Sequence, residues 1–583
     1  MHKRKFRNIA FVDFHNKKCA MAAKFLRRIG KYKGFLAGAS LMGAVTLFVQ
    51  AKSPDSYFEI SKNLEIFATL FKQLNAYYVD PIEPGKLVKT GINAMLEDLD
   101  PYTNYITESD IEEYEFQTTG KYGGIGATMR KKADEIFVGD VYENSPAQKA
   151  GLHPGDQVIA IDNNPVSGKT IDDISLLLKG SPGTQVGLKI RDAFTGEELN
   201  KIVTRGEIEV SAVPYAGLLG PEKNVAYVKL TQFTHGCTRL VRNALDSMKA
   251  VNPNLKGVVL DLRNNPGGLL DEAVSMCNLF LDKGQLVVST KGKVAEKNRE
   301  YRTMTSAWDA KIPITVLINR SSASASEIVA GTMQDLDRGV VVGERSYGKG
   351  LVQETVPLGY NARLKLTIAK YYTPSGRCIQ AIDYTHRNAD GSVGKVADSL
   401  KQTFVTKSGR KVKSGGGVEA DVVVENQHIS KLAIALYTKN YFFDYATSYA
   451  KKHPNIPAAG SFSLSDAEFN AFAKWLEGKD YSYKSETEIA LDSLKNIATR
   501  EKYFEAIKTD FGSLQTKVTH DKQQDLLKHK TEIAKLLENE IVSRYYFLRG
   551  RIEHSLRSDN DIAKALSLLS EPSNYQALLQ PKK

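Results

Sequence analysis

The chain has 583 residues, a hydrophobic fraction of 42% and a formal charge of +12 from 79 basic against 67 acidic side chains. That length holds about three to five domains with apolar cores, and no run of basic and aromatic residues marks a nucleic-acid groove, so nucleic acid is not an expected partner. Cys19, Cys237, Cys277 and Cys378 are far apart. They form neither a disulfide framework nor a zinc pattern, and no metal or cofactor is expected.

Residues 1–33 are strongly basic, and residues 34–51 carry no charged side chain. A helix over that stretch barely spans a bilayer, for which ~20 residues are typical, and its basic flank stays cytoplasmic. Everything after it is then expected in the periplasm. Two readings of residues 34–51 stand: an inner-membrane anchor, or a signal peptide cut after the small residues Val49 and Ala51. Met21 is a second candidate start. Residues 52–118 read as a helical N-terminal domain. Leu64, Phe67, Leu70, Phe71 and Leu74 recur at helical spacing, Pro81 and Pro84 interrupt, and Leu87, Ile92, Met95, Leu96 and Leu99 make a second apolar face.

Residues 119–206 contain Gly123-Gly124-Ile125-Gly126, the strand Ile136-Phe137-Val138, and turns at Ser145-Pro146-Ala147, Pro154-Gly155-Asp156 and Pro182-Gly183-Thr184. This ordered set resembles a PDZ domain. In such a domain a glycine-rich loop beside an edge strand donates backbone N–H groups to a peptide carboxylate, while the peptide extends the sheet. Gly123, Gly124, Ile125 and Gly126 are the expected substrate-binding residues, with apolar terminal residues favoured near Ile125. The loop lacks the spacing of a phosphate or dinucleotide site.

Residues 207–428 alternate strands with helices, which implies a mostly parallel sheet with right-handed crossovers. The strand Val258-Val259-Leu260-Asp261-Leu262 ends in Arg263-Asn264-Asn265-Pro266-Gly267-Gly268. The two glycines let backbone approach where a side chain would collide. Further on, the apolar run 314–318 enters Ser322-Ala323-Ser324-Ala325-Ser326-Glu327, and Ile328, Val329 and Met333 continue as a helix. Free N–H groups at a helix start stabilise an oxyanion, and a serine there attacks a carbonyl once a base takes its proton. The bland reading of such a turn is a helix cap. His235 is isolated and gives a histidine triad little support. Lys349, set between two glycines after the strand Val340-Val341-Val342, is the candidate base.

That serine turn, followed by Gly343-Glu344-Arg345-Ser346-Tyr347-Gly348-Lys349-Gly350, resembles the catalytic core of the C-terminal processing peptidases, the tail-specific proteases of family S41. The resemblance implies a multidomain α/β chain: a crotonase-like, ClpP-like protease core over residues 207–428, a PDZ domain, and helical N- and C-terminal regions. It implies Ser324 as nucleophile, Lys349 as base and Gln353 as the residue orienting the lysine. Ala325 and one of Gly267 or Gly268, preferably Gly268, supply the oxyanion donors, while Asp261 and Arg263 hold the glycine loop. Asp100-Pro101-Tyr102-Thr103 resembles the family's junction before its PDZ domain. Substrates are proteins or peptides with accessible C-termini.

Two departures stand out. Lys179, in Lys179-Gly180-Ser181-Pro182, replaces an arginine that couples substrate binding to the protease, and Ala420 stands where the family has proline. A catalytically silent PDZ scaffold for exported proteins is the competing reading; Ser324, Lys349 and Gln353 favour the enzyme. Residues 381–410 are polar and read as an insertion or long surface loop. Residues 429–583 read as amphipathic helices over 468–476, 487–507 and 522–546 with solvated charged faces. They are a buttress, or a contact for a homo-oligomer or an adaptor.

Overall fold

The computed structural model describes residues 54–425, 429–518 and 522–581, so the basic start and the apolar segment 34–51 lie outside the described residues. Among the described residues no helix is long and apolar enough to cross a membrane. The chain divides into two compact units after Gly91. The first contains helix α1 (Pro54–Tyr77) and the start of α2 (Pro84–Glu97). Leu64, Phe67, Leu70 and Leu74 repeat along α1 at helical spacing, and all four are exposed.

In the second unit, β1 (Asn104–Ile106) and α3 (Ile111–Thr119) lead to β2 (Lys121–Gly124). Helix α3 stops because Gly120 turns left-handed at φ 73 and its N–H donates to the Phe116 carbonyl. An antiparallel sheet follows, with its main path in the order β3 (Ala127–Lys132), β4 (Glu135–Val141), β5 (Gln157–Ile161), β6 (Gln185–Arg191) and β7 (Glu198–Thr204), and the short strand Asn164–Pro165 paired to β5. Helix α4 (Ile171–Leu178) sits between β5 and β6 in the chain and buries Ile174 and Leu178 with Ile136, Val158 and Leu188. Strand β8 (Gly206–Glu209) returns to pair antiparallel with β2.

The next segment carries β9 (Tyr215–Leu219), β10 (Val225–Lys229), α5 (Cys237–Val251), β11 (Gly257–Asp261), α6 (Leu270–Asn278), β12 (Leu286–Gly292), β13 (Arg299–Arg302), β14 (Ile314–Ile318), α7 (Ala325–Asp335), β15 (Val340–Gly343), β16 (Leu351–Pro357), β17 (Arg363–Tyr372) and β18 (Val422–Val423). Its main sheet runs β9-β10-β11-β14-β15-β18, and only the β9–β10 pair is antiparallel. Strands β11 and β14 are buried at every residue, as expected of parallel strands covered on both faces. A second sheet runs β1-β17-β12-β13, with β16 also paired to β17. Helix α7 is buried along its whole length and packs on α6.

Residues 381–410 are not a plain loop. Ile382–Arg387 pairs with Val393–Lys395, and Thr403–Val405 pairs with Lys411–Lys413. Arg410 fastens the second hairpin to the domain through Asp337 and Asp421.

The C-terminal region contains α8 (Lys431–Thr438), α9 (Tyr441–Lys452), α10 (Asp466–Trp475), α11 (Glu486–Arg500), α12 (Phe504–Val518), α13 (Lys522–Lys528), α14 (Lys530–Ser555), α15 (Asn560–Ser570) and α16 (Pro572–Leu578). The predicted helix over 487–507 breaks between α11 and α12, where Lys502 takes a left-handed φ of 64. The charged face of α14 is not solvated throughout: Glu538, Glu540 and His554 are buried, and Glu540 pairs with Arg544 at 3.1 Å. Helices α9 and α14 hold the β3–β4 hairpin through Lys132–Asp444 and Arg551–Asp140. Ile562, Leu568, Leu569 and Tyr575, from α15 and α16, cover one face of the parallel sheet against Tyr227, Val259, Leu317 and Val342. Tyr575 Oη donates to the Ile314 carbonyl at 2.8 Å and accepts from the Ile314 N–H at 3.0 Å. Gly257 leaves room for Leu569, since a Cβ there would lie 2.7 Å from Leu569 Cδ2.

Leu569→Ala is expected to destabilise the sheet domain by about 2–5 kcal/mol, read as a lower urea midpoint, because it opens a cavity against β11. An unchanged midpoint would show that α15 is not part of that core.

Candidate active site

Strand β14 ends at Ile318, and residues 319–324 turn the chain into α7. The three serines of this turn separate by environment. Ser322 Oγ donates to the Leu262 carbonyl at 2.8 Å and Ser326 Oγ to the Asn265 carbonyl at 2.9 Å, both fully buried. They bind the turn to the Asp261–Gly268 loop. Ser324 is the one that lines an open cleft of about 540 Å³. Its backbone sits at φ 55, ψ −113, a strained conformation for a residue with a side chain.

Lys349 lines the same cleft. Its turn depends on glycine on both sides: a Cβ at 348 would lie 2.3 Å from Ala381 Cβ, and one at 350 would lie 2.8 Å from Gln380 N. Burial, and then the charge of Lys365, lower the Lys349 pKa to about 8, although Glu327 and Asp100 pull it upward. The Tyr102 ring stands over the ammonium, with its centroid 4.4 Å from Nζ. Gln353 also lines the cleft, but its Nε2 donates to Thr367 Oγ1 at 3.1 Å. Among the described residues no hydrogen bond joins it to Lys349. The reason is register: Thr367 stands directly opposite Gln353 across β16 and β17 and captures the amide.

One carboxylate ties the serine turn to the lysine turn. Glu327 Oε2 accepts the N–H of Ser324 at 2.8 Å and of Lys349 at 2.9 Å, while Oε1 accepts the N–H of Gly348 at 2.7 Å and the hydroxyl of Ser346 at 2.5 Å. Full burial pushes its pKa up to about 7, against the pull of these four donors. In the sequence Glu327 reads as an ordinary first-turn acid of a helix, so its role is not visible there.

The glycine turn touches the serine turn. A Cβ on Gly267 would lie 2.7 Å from Ser324 Cβ and 2.9 Å from Ala325 N, and one on Gly268 would lie 2.3 Å from the Phe233 carbonyl oxygen. The Gly267 N–H is committed to Asn265 Oδ1 at 2.9 Å. Among the described residues, the N–H groups of Gly268 and Ala325 meet no acceptor. Behind this turn, Asp261 is buried and takes hydrogen bonds from Tyr227 Oη and from Arg263. Burial alone would raise its carboxyl, but Arg263 and Lys229 outweigh it and hold the group well below the usual range. Arg263 also reaches Asp559 and Asp561 at 2.8 Å, so the region of α15 contributes to the loop's support. The Asp261–Arg263 pair is therefore buried and is not a surface salt bridge.

In the PDZ-like sheet, the N–H groups of Ile125 and Gly126 meet no acceptor among the described residues. Gly123 and Gly124 belong to β2, and Gly126 has φ 76. The Ile125 side chain is buried in the domain core, so it does not offer the apolar contact surface expected of it. Lys179 pairs with Glu113 of α3 at 2.8 Å and lies 5.9 Å from the Tyr122 ring centroid. Helix α3 itself carries Tyr114, Gln117 and Thr118 into the cleft.

Residues 224–386 match peptidase family S41, residues 137–192 a PDZ domain, and residues 432–569 the C-terminal helical domain of a probable PDZ-protease. A carboxy-terminal-processing protease of Bartonella bacilliformis is 36% identical over 353 residues, covering 60% of this chain and 80% of that one. A probable CtpA-like serine protease of Staphylococcus haemolyticus is 30% identical over 440 residues, covering 74% and 79%. Among solved structures, the photosystem II D1 C-terminal processing protease is 25% identical with a TM-score of 0.33, covering 62% of this chain and 92% of that one.

Glu327→Gln places an amide N–H₂ against two of the four donors, and kcat on a peptide is expected to fall by about ten- to a hundredfold with KM little changed. The same substitution removes a pH dependence of stability. The folded pKa near 7 exceeds the ordinary 4.5, so this group's contribution is full below about pH 4.5 and is lost as pH rises through about 7. Urea midpoints across that window, parent against variant, check it.

Proposed function

The chain belongs to peptidase family S41 as a C-terminal processing serine endopeptidase with a PDZ domain, and on that premise we propose that it cuts by a Ser324–Lys349 dyad after its PDZ domain captures the C-terminus of an exported protein. The observation that carries the dyad is the shared cleft of Ser324 and Lys349, with a lysine whose burial brings its pKa within reach of neutrality.

In this reading Lys349 takes the Ser324 proton as Oγ bonds to the scissile carbonyl carbon. The oxyanion is held by the N–H of Ala325 and of Gly268, which is favoured over Gly267 because the Gly267 N–H is already bound to Asn265. Lys349 then gives its proton to the leaving amine and the acyl-enzyme forms. Water attacks the ester, Lys349 takes a proton from it, and Ser324 regains a proton as the new carboxyl end departs. Gln353 acts at one remove, by fixing Thr367 and the Asp100 network rather than by touching the lysine. Thr367 Oγ1 donates to Asp100 Oδ1 at 3.2 Å, and Thr103 Oγ1 to Asp100 Oδ2 at 3.1 Å.

Capture rests on the free N–H groups of Ile125 and Gly126, with the peptide added beside β3. Lys179 serves as the link between that loop and the cleft wall through Glu113. For location, the basic start and residues 34–51 support export to the periplasm, as an inner-membrane anchor or a cleaved signal.

Two outcomes are expected. The kcat/KM on an unstructured peptide rises with pH through about 8 as Lys349 loses its proton. Ser324→Ala and Lys349→Ala abolish turnover in chains that circular dichroism shows to be folded, and Lys349→Arg fails at every pH because guanidinium keeps its proton. A Lys349→Ala rate equal to the parent's sinks the dyad. Separately, an export-sensitive reporter fused after Ser53 is expected to be active outside the cytoplasm. Purely cytoplasmic activity rejects that location.

A further inference from the structure

The cleft that holds Ser324 and Lys349 carries a second lysine to which the mechanism gives no bonding role. Lys365 lies within β17, opposite Thr355 on β16 and Asn104 on β1, and its side chain lines the cleft. Strand alternation places Lys365 with Thr367 on one face of β17, and Gln353 with Thr355 on one face of β16. The cleft wall therefore presents two cross-strand pairs, Gln353–Thr367 and Thr355–Lys365.

The first pair is satisfied internally, by the Gln353–Thr367 bond and by Asp100. In the second, Thr355 Oγ1 accepts from Tyr114 Oη at 2.9 Å. Lys365 is left over. Among the described residues its ammonium makes no hydrogen bond and no ion pair, and no carboxylate lines the cleft. Its neighbour on β17 two residues back, Arg363, is paired with Glu115 at 3.5 Å. Burial lowers the pKa of Lys365, and its charge opposes protonation of Lys349. A partly buried, unpaired ammonium is costly, and an incoming carboxylate is the group that offsets that cost.

We propose that Lys365 is a carboxylate subsite of the cleft, which pairs with an anionic group of the substrate chain close to the scissile bond. That group is an acidic side chain or the chain's own terminal carboxylate. The proposal rests on the reading that peptides are cut in this cleft, and it adds a substrate class to it.

The test uses one peptide sequence in four forms, combining a free-acid or amidated C-terminus with Glu or Gln beside the scissile bond. Each is assayed with the full chain and with Lys365→Met, Lys365→Gln and Lys365→Arg. The parent is expected to prefer the charged member of at least one pair. Lys365→Met and Lys365→Gln should lose about tenfold of that preference in kcat/KM, and Lys365→Arg should retain it. Loss confined to the Glu/Gln pair identifies a side-chain carboxylate; loss confined to the acid/amide pair identifies the terminus. Any preference due to the PDZ domain is common to parent and variants and cancels in the comparison.

A parent without preference in either pair overturns the proposal with no variant needed. It is also overturned if the preferences are the same in parent and neutral variants. An equal drop on all four peptides with a displaced pH–rate profile assigns Lys365 to tuning Lys349 alone, and overturns it too. Failure of the dyad reading appears elsewhere, as turnover that survives Lys349→Ala.

Discussion

The Glu327 carboxylate is the constraint on which the rest of the site depends. The serine turn follows β14 and the lysine turn follows β15, and parallel strands fix only where those turns begin. The turns are joined by one buried group whose two oxygens each accept two hydrogen bonds, from Ser324 and Lys349 on one side and from Ser346 and Gly348 on the other. Burial makes the ionised form of this group costly, and the four donors offset part of that cost. Where the charge is present it favours the protonated form of the neighbouring lysine.

A second dependence runs through the C-terminal helices. Ser322, Ser326 and Ala323 all bond to the backbone of the Asp261–Gly268 loop, so the serine turn is only as well placed as that loop. The loop hangs from Asp261 and Arg263, and Arg263 is completed by Asp559 and Asp561. Breaking a buried pair by removing one partner leaves an uncompensated charge and costs about 3–5 kcal/mol. Helices α15 and α16 therefore belong to the protease core in the physical sense, since they cover its sheet and neutralise its arginine. They are more than a buttress standing beside it.

Much of the site was legible because its turns need unusual residues. Gly267, Gly268, Gly348 and Gly350 stand where a Cβ would meet backbone or a packed side chain, and small residues in such runs announce close approach. Ser322, Ser324 and Ser326 were not separable by residue type, because all three share one turn and only burial tells a structural hydroxyl from an open one. Glu327, Tyr102 and Lys365 were silent for a related reason. Each has an ordinary local reading, as a helix-start acid, a junction residue and a strand residue, and each gains its place from a partner distant in sequence. Gln353 was read as the partner of Lys349, but the β16–β17 register gives its amide to Thr367. The helices of the C-terminal region were visible from periodicity. What they cover was not, since an amphipathic pattern names a face and not its neighbour.

Helix α3 joins the PDZ-like sheet to the cleft wall. The Lys179–Glu113 pair is partly exposed, and such pairs contribute about 0–1 kcal/mol, less in salt. A lysine also lacks the two-pronged geometry by which an arginine would fix a carboxylate in direction. The pair alone cannot hold the loop at residues 123–126 in register with the cleft. Helix α3 is anchored to the core by better bonds. Gln232 Nε2 donates to the Gln117 carbonyl at 2.7 Å, the His235 N–H to the Thr118 carbonyl at 3.0 Å, and Tyr114 Oη to Thr355. From its last turn the chain passes through Gly120 directly into β2 and the loop at residues 123–126. The far side of the same domain is held by Arg551 and Asp444 of the C-terminal helices. The separation between loop and cleft is thus set by a covalent path on one side and an ionic clamp on the other, with the Lys179 contact a minor adjustment between them.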